Sequence, residues 1–105
     1  MIKINNILSE FRKEIQKLYG SKLKNIILYG SWARKEAREG SDIDLAVVLK
    51  EIRTPGIEID RMIDIITDLN LKYNIVLSVY PVCEKDYLTL KSPLLLNIRR
   101  EGVPA

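Results

Sequence analysis

Histidine is absent from this 105-residue chain, and cysteine occurs once, at Cys83. Without imidazole there is no His-ligated metal centre, no Ser-His or Cys-His nucleophile pair and no histidine general base. A single cysteine excludes an internal disulfide and a cysteine zinc cluster, and it reads most simply as an inert thiol. Long apolar runs are missing too. The longest are strand-sized, well short of the roughly 20 residues that span a bilayer, so no membrane contact is expected. The opening Met1-Ile2-Lys3-Ile4-Asn5-Asn6 turns polar at once, unlike a signal peptide, and makes a cytoplasmic location the default. Charge of one sign is also lacking: 17 Lys and Arg against 14 Asp and Glu leave a net +3. With no basic block and no interleaving of basic and aromatic residues, nucleic acid is not expected as a direct ligand. Carboxylates, lysines and tyrosines are what remain for chemistry.

What is present is the composition of a globular α/β domain. With 47% hydrophobic and 30% charged residues, the chain can fill one core and no second one, so residues 1–105 are expected to form a single domain. Ile4, Ile7, Leu8, Phe11, Ile15, Leu18 and Tyr19 recur at helical spacing before Gly20, which predicts an amphipathic first helix. Leu23 to Tyr29 and Asp42 to Lys50 read as strands, with a short helix over Ser31 to Arg38 between them. Thr54-Pro55 is a cap followed by proline at the first helical position. Ile59, Met62, Ile63, Ile66 and Leu69 then mark the inner face of a second long helix, on which Glu58, Asp60 and Asp64 are expected to be solvated. Ile75 to Tyr80 reads as a third strand ended by Pro81. Ser92-Pro93 repeats the cap-and-proline signal before a helical tail with Leu94, Leu95 and Ile98 inward and Gly102 as its stop.

The stretch from Tyr29 to Leu45 is the most specific about chemistry. Gly30-Ser31 follows an apolar strand, and glycine there lets backbone N–H groups approach a phosphate. Taken alone it reads sooner as an ordinary turn with a serine cap. Asp42-Ile43-Asp44 leads into Leu45-Ala46-Val47-Val48-Leu49, and strand alternation puts Asp42 and Asp44 on one face. Two carboxylates so close repel unless a cation or a proton intervenes. Magnesium is commonly held by one or two carboxylates together with substrate phosphates. The combination points to phosphoryl or nucleotidyl transfer. Arg34, Lys35 and Arg38 stand near enough to pair with phosphate oxygens, or they form a solvated face.

Gly30-Ser31, the ten residues from Trp32 to Ser41, and Asp42-Ile43-Asp44 resemble the GSx₁₀DxD signature of the nucleotidyltransferase superfamily that includes DNA polymerase β. In size the chain is similar to the minimal, MNT-type branch, whose members are often paired as antitoxins with a HEPN-domain ribonuclease. The tail Ser92-Pro93 through Asn97-Ile98-Arg99-Arg100-Glu101-Gly102 resembles that branch as well. The resemblance implies a small α/β nucleotidyltransferase-like fold, with a mixed three-stranded core sheet flanked by helices. It further implies transfer of a nucleoside monophosphate, AMP from ATP, to a hydroxyl acceptor such as a HEPN toxin, with Mg²⁺ as cofactor. On that pattern Asp42 and Asp44 are the catalytic and metal-binding residues, and Gly30, Ser31, Arg34 and Ser41 bind the nucleotide.

Two departures stand out. Lys35 replaces a glycine often found in relatives, and the strand Asn74 to Tyr80 lacks the third carboxylate that two-metal members carry; Val76 or Ser78 holds its place by pattern. A one-ion site survives this loss better than a two-ion site. The alternative is therefore a catalytically weak or inactive antitoxin that acts by binding its partner, with a nucleotide-sensing module as a third reading. Trp32 reads as a packing or partner-contact residue ahead of a base-stacking one. The acceptor, the nucleotide preference, the number of ions and the oligomeric state, including a homo-oligomer, are left open.

Overall fold

Ile7, Phe11, Ile15 and Tyr19, spaced by four, line the buried side of helix α1 (Ile4–Tyr19), which Gly20 ends at φ 56°. The computed structural model describes residues 3–38 and 40–105. Met1 and Ile2, at the polar-broken start, and Glu39, within the signature, lie outside the described residues. Strands β1 (Leu23–Tyr29) and β2 (Ile43–Leu49) follow, then helix α2 (Pro55–Tyr73) and strand β3 (Leu77–Cys83). Helices α3 (Glu84–Thr89) and α4 (Pro93–Glu101) and the short strand β4 (Val103–Pro104) complete the order. Both cap signals are realised. Thr54 Oγ1 accepts the Ile57 N–H at 3.4 Å, Ser92 Oγ accepts the Leu95 N–H at 3.2 Å, and each proline opens its helix.

The sheet runs β3-β2-β1-β4, with β1 antiparallel to β2 and β4, and β2 parallel to β3. A parallel pair needs a long crossover, which α2 supplies. From Leu45 onward β2 is buried on both faces, which explains the unbroken apolar run there. On one face Ile43, Leu45, Val47 and Leu49 pack with Ile26 and Leu28 against α1 and α2. On the other, Ala46 and Val48 pack with Ile27 and Val82 against Leu95 and Ile98 of α4. Asp44 belongs to this second face by alternation, at the end of β2 nearest the loop from Gly30 to Asp42.

Several expectations are corrected. The sheet has four strands, because Val103 and Pro104 pair with Leu28 and Ile27 and the Ala105 N–H donates to Ile26 O at 2.9 Å. A two-residue strand carries no alternation by which sequence could show it. The third strand begins at Leu77, since the Ile75 N–H still bonds Asn70 O at the end of α2 and Asn70 Oδ1 takes the Leu77 N–H. It also runs through Pro81. The Ile43 N–H donates to Val76 O, so in a parallel ladder the even-numbered residues of β3 bond β2 and the missing N–H of Pro81 faces outward. Ile63 is 45% exposed and drops out of the inner face of α2.

Glu58, expected in solvent, is 6% exposed. It lies four residues before Met62 on the apolar stripe of α2, and its carboxylate accepts the Tyr19 hydroxyl at 2.8 Å and Arg61 Nη1 at 3.5 Å. Burial, and then the Glu58 charge, push the Tyr19 phenol far above its ordinary value, so it stays a donor at physiological pH. Arg61 also stacks 4.8 Å above the Tyr19 ring. Tyr19→Phe leaves the buried carboxylate without its nearest donor and should destabilise the fold by about 1–3 kcal/mol, read as a shift of the urea midpoint at unchanged slope.

Candidate active site

The chain leaves β1 at Tyr29 and turns at Gly30, whose φ of 75° suits glycine. The expected helix over Ser31 to Arg38 is a single turn: the Arg34 N–H bonds Gly30 O and the Glu36 N–H bonds Ser31 O at 2.9 Å, but no helix follows. Lys35 ends it, at φ 60° in the left-handed region. That conformation suits glycine, and it leaves the lysine here strained. The rest of the loop is fastened by Ser41. Its Oγ accepts the Arg38 N–H at 2.9 Å, and its carbonyl accepts Trp32 Nε1–H at 3.3 Å. The Trp32 ring packs against the core formed with α1 and α2, in line with the packing role expected of it.

All six residues singled out in the sequence line one open cleft of about 460 Å³. Gly30, Ser31 and Arg34 come from the turn, and Ser41, Asp42 and Asp44 from the entry to β2. Tyr29 and, from α4, Leu94, Asn97 and Glu101 complete the wall. Lys35 and Arg38 are exposed and do not line it. Asp44 stands between Tyr29, its antiparallel partner, and Ser78, its parallel one. Ser78, not Val76, therefore occupies the β3 position beside the acids. Among the described residues no set of three metal-ligating side chains is gathered.

Gly30 and Asp44 touch. A methyl group added at Gly30 would overlap Asp44 Oδ2 and lie 3.1 Å from its Cγ. Burial first, and then the charge of Asp42, raise the Asp44 carboxyl above the ordinary aspartate value, with Arg34 opposing. This pair of acids is held where a cation would relieve it, so the donor set fits a hard divalent ion that also takes phosphate oxygens. Burial and the Asp44 charge push the Tyr29 hydroxyl up to about 12, which keeps it a hydrogen-bond donor.

Sequence reasoning gave Glu101 no role in the site. Its Oε1 accepts the Gly30 N–H at 3.1 Å, and Arg34 Nη1 lies 3.1 and 3.2 Å from its two carboxylate oxygens, while Arg34 Nε bonds Glu36 at 3.0 Å. Glu101 is held below the usual carboxylate range: burial raises it, but the Gly30 N–H and Arg34 together outweigh that effect. No local pattern could reveal a contact across 71 residues of chain.

Residues 8–99 match the family described as "Nucleotidyltransferase domain". The chain belongs to this nucleotidyltransferase family. The candidate protein adenylyltransferase MJ0141 of Methanocaldococcus jannaschii is 34% identical over 102 residues, covering 97% of this chain and 98% of that protein. The protein adenylyltransferase MntA of Thermococcus cleftensis is 29% identical, over 95% of this chain and 90% of its own. A crystal structure of a toxin–antitoxin with AMP-PNP superposes with a TM-score of 0.66 at 17% identity, covering 98% of this chain and 72% of that one. This last likeness concerns the fold, which is that of a small mixed α/β nucleotidyltransferase.

Two predictions concern this nucleotidyltransferase site in the absence of ligands. Lys35→Gly should stabilise the protein by about 0.5–1 kcal/mol by relieving the left-handed lysine, whereas Gly30→Ala should destabilise it by more than about 1 kcal/mol; thermal melts of both variants check the pair. Asp44 has a folded pKa above its unfolded one, so its favourable contribution is complete at low pH and is lost as pH rises through the folded value. Metal-free Asp44→Asn should therefore melt above the parent at pH 7, and the gap should close toward pH 4. A gap independent of pH would contradict the assignment.

Proposed function

We propose that this nucleotidyltransferase domain, folding as one unit over residues 1–105, moves AMP from ATP to a hydroxyl of a partner protein, with Mg²⁺ held by Asp42 and Asp44. The observation that carries this reading is the contact of the Gly30 turn with the Asp44 carboxylate in a cleft shared with Asp42. A phosphate-binding turn and a cation-binding acid pair are needed at one point only when a metal-bound polyphosphate sits there. The relatives named as protein adenylyltransferases support AMP and a protein acceptor. The toxin–antitoxin structure with AMP-PNP supports an adenine nucleotide and a toxin partner, for which we propose a HEPN-type protein in the cytoplasm.

In this scheme Ser31 and the N–H groups of its turn hydrogen-bond the phosphates, and Ser41 supplies a second hydroxyl at the cleft wall. Arg34 offsets phosphate charge from the turn. Held by Asp42 and Asp44, a Mg²⁺ ion would supply neutralisation of charge on the phosphates and so favour in-line attack at the α-phosphorus. Tyr29, protonated up to about pH 12, donates and does not act as base. Leu94, 40% exposed, and Asn97 give the nucleoside an apolar edge and an amide. A bond forms between the acceptor oxygen and the α-phosphorus as the bond from that phosphorus to the bridging oxygen of pyrophosphate breaks; the hydroxyl proton passes to solvent at the open mouth of the cleft, and pyrophosphate leaves by it. That open mouth leaves room for an acceptor from another chain.

The test is labelling of a co-expressed HEPN partner with radiolabelled ATP and Mg²⁺. Labelling is expected, with loss on chelation and a fall of about 10³-fold or more in Asp44→Asn, the several kcal/mol that a catalytic metal supplies. An unlabelled partner at saturating ATP and Mg²⁺ would refute transfer. Ser78 beside Asp44, where a third acid would stand, favours a second reading, in which the chain neutralises its partner by contact alone. Under that reading the Asp42→Asn, Asp44→Asn double variant still protects cells from the toxin; under transfer, protection is lost.

A further inference from the structure

We infer that Glu101 is a positioning residue of this site: its carboxylate, carried on the end of α4, holds the Gly30 turn against Asp44 and fixes the direction of Arg34. The inference rests on the nucleotide-binding reading above for its purpose, though not for its geometry. Every link is a contact between well-anchored groups. Leu95 and Ile98 of α4 are fully buried against the sheet. The helix cannot shift outward without emptying that layer, and its last turn is closed by the Gly102 N–H bond to Ile98 O at 2.8 Å. A side chain at Gly102 would overlap Ile98 O and come within 2.5 Å of Ile27 Cγ2, so the helix end lies directly on β1.

Glu101 is the last residue of this helix, and its side chain is only 17% exposed. One oxygen takes the Gly30 N–H, an amide that the turn's own hydrogen bonds leave unpaired. Both oxygens face Arg34 Nη1, which has Glu36 on its other side. Gly30 in turn abuts the Asp44 carboxylate. Displacement of the Gly30 backbone thus moves the surface that limits where Asp44 can point. Hydrogen bonds to an ionised acceptor are short and directional, and a carboxylate on a packed helix end makes such a bond without ordering a free chain. Beyond the charge that Glu101 adds near Asp44, its contact with the acids runs through Gly30.

Two variants separate positioning from charge. Glu101→Ala removes the acceptor; Glu101→Gln keeps an oxygen for the Gly30 N–H and removes the charge. Amide exchange followed by NMR should show Gly30 exchanging at least about ten-fold faster in the alanine variant and close to the parent rate in the glutamine variant. Calorimetry with Mg²⁺ and AMP-PNP should show affinity reduced about ten- to hundred-fold by alanine, the size of the cost of leaving the Gly30 N–H without its acceptor. Glutamine should restore it to within about three-fold. Unchanged Gly30 exchange in Glu101→Ala overturns the inference, as does a glutamine variant as defective as the alanine one. If the alanine variant does not fold, Glu101→Gln alone decides, and loss of Gly30 protection or of binding there refutes positioning. A parent protein that binds no nucleotide sinks the functional reading instead, while Gly30 exchange still decides the role of Glu101.

Discussion

The Gly30 backbone against the Asp44 carboxylate is the constraint around which the rest is arranged. It requires β1 to end opposite Asp44, which the antiparallel register provides by pairing Tyr29 with Asp44. It requires the chain to leave that strand at positive φ with no side chain in the way. It also requires β2 to lie inside the sheet, because only a strand flanked on both sides holds an aspartate this firmly while burying it in part. The large burial of the α1–α2 layer then serves the site indirectly. It fixes β2, and β2 fixes the acid.

Charge in the cleft is balanced between elements distant in sequence. Asp42 and Asp44 concentrate negative charge at one end of β2, Arg34 answers from the turn, and Glu101 answers Arg34 from α4. A polyphosphate alone would meet three carboxylates there and be repelled, whereas one carrying a divalent cation brings the charge the acids lack. Under the proposed function, the site is thus suited to the metal complex of a nucleotide more than to the free anion.

How much of this was legible in the sequence depends on how local each signal is. Helix α1 was readable because its four-residue spacing meets a glycine stop, and α2 and α4 because Ser or Thr before Pro is a strong start signal. The six cleft residues stood out because a glycine turn and an acid pair at fixed spacing restrict each other. The turn after Ser31 was misjudged: helix-forming composition suggested propagation, and Lys35 at φ 60° stops it. Glu58 could have been found from its place four residues before Met62, had the buried stripe been weighed above its charge. Strand β4 and Glu101 could not, since both act through partners some 70 residues away and are marked by no periodicity of their own.

Pro81 in β3 has a bearing on how copies of this protein meet. β3 is an outer strand of the sheet, and an outer strand offers unpaired N–H and C=O groups as a template for a strand of another molecule. The outward rungs of β3 fall on its odd-numbered residues, and at Pro81, in the middle of that row, the donor is missing. An incoming strand can find register on either side of the proline but cannot run continuously across it. The same residue that makes β3 look broken from sequence thus interrupts the template that this edge offers to another strand, and it does so without placing a charge near the cleft.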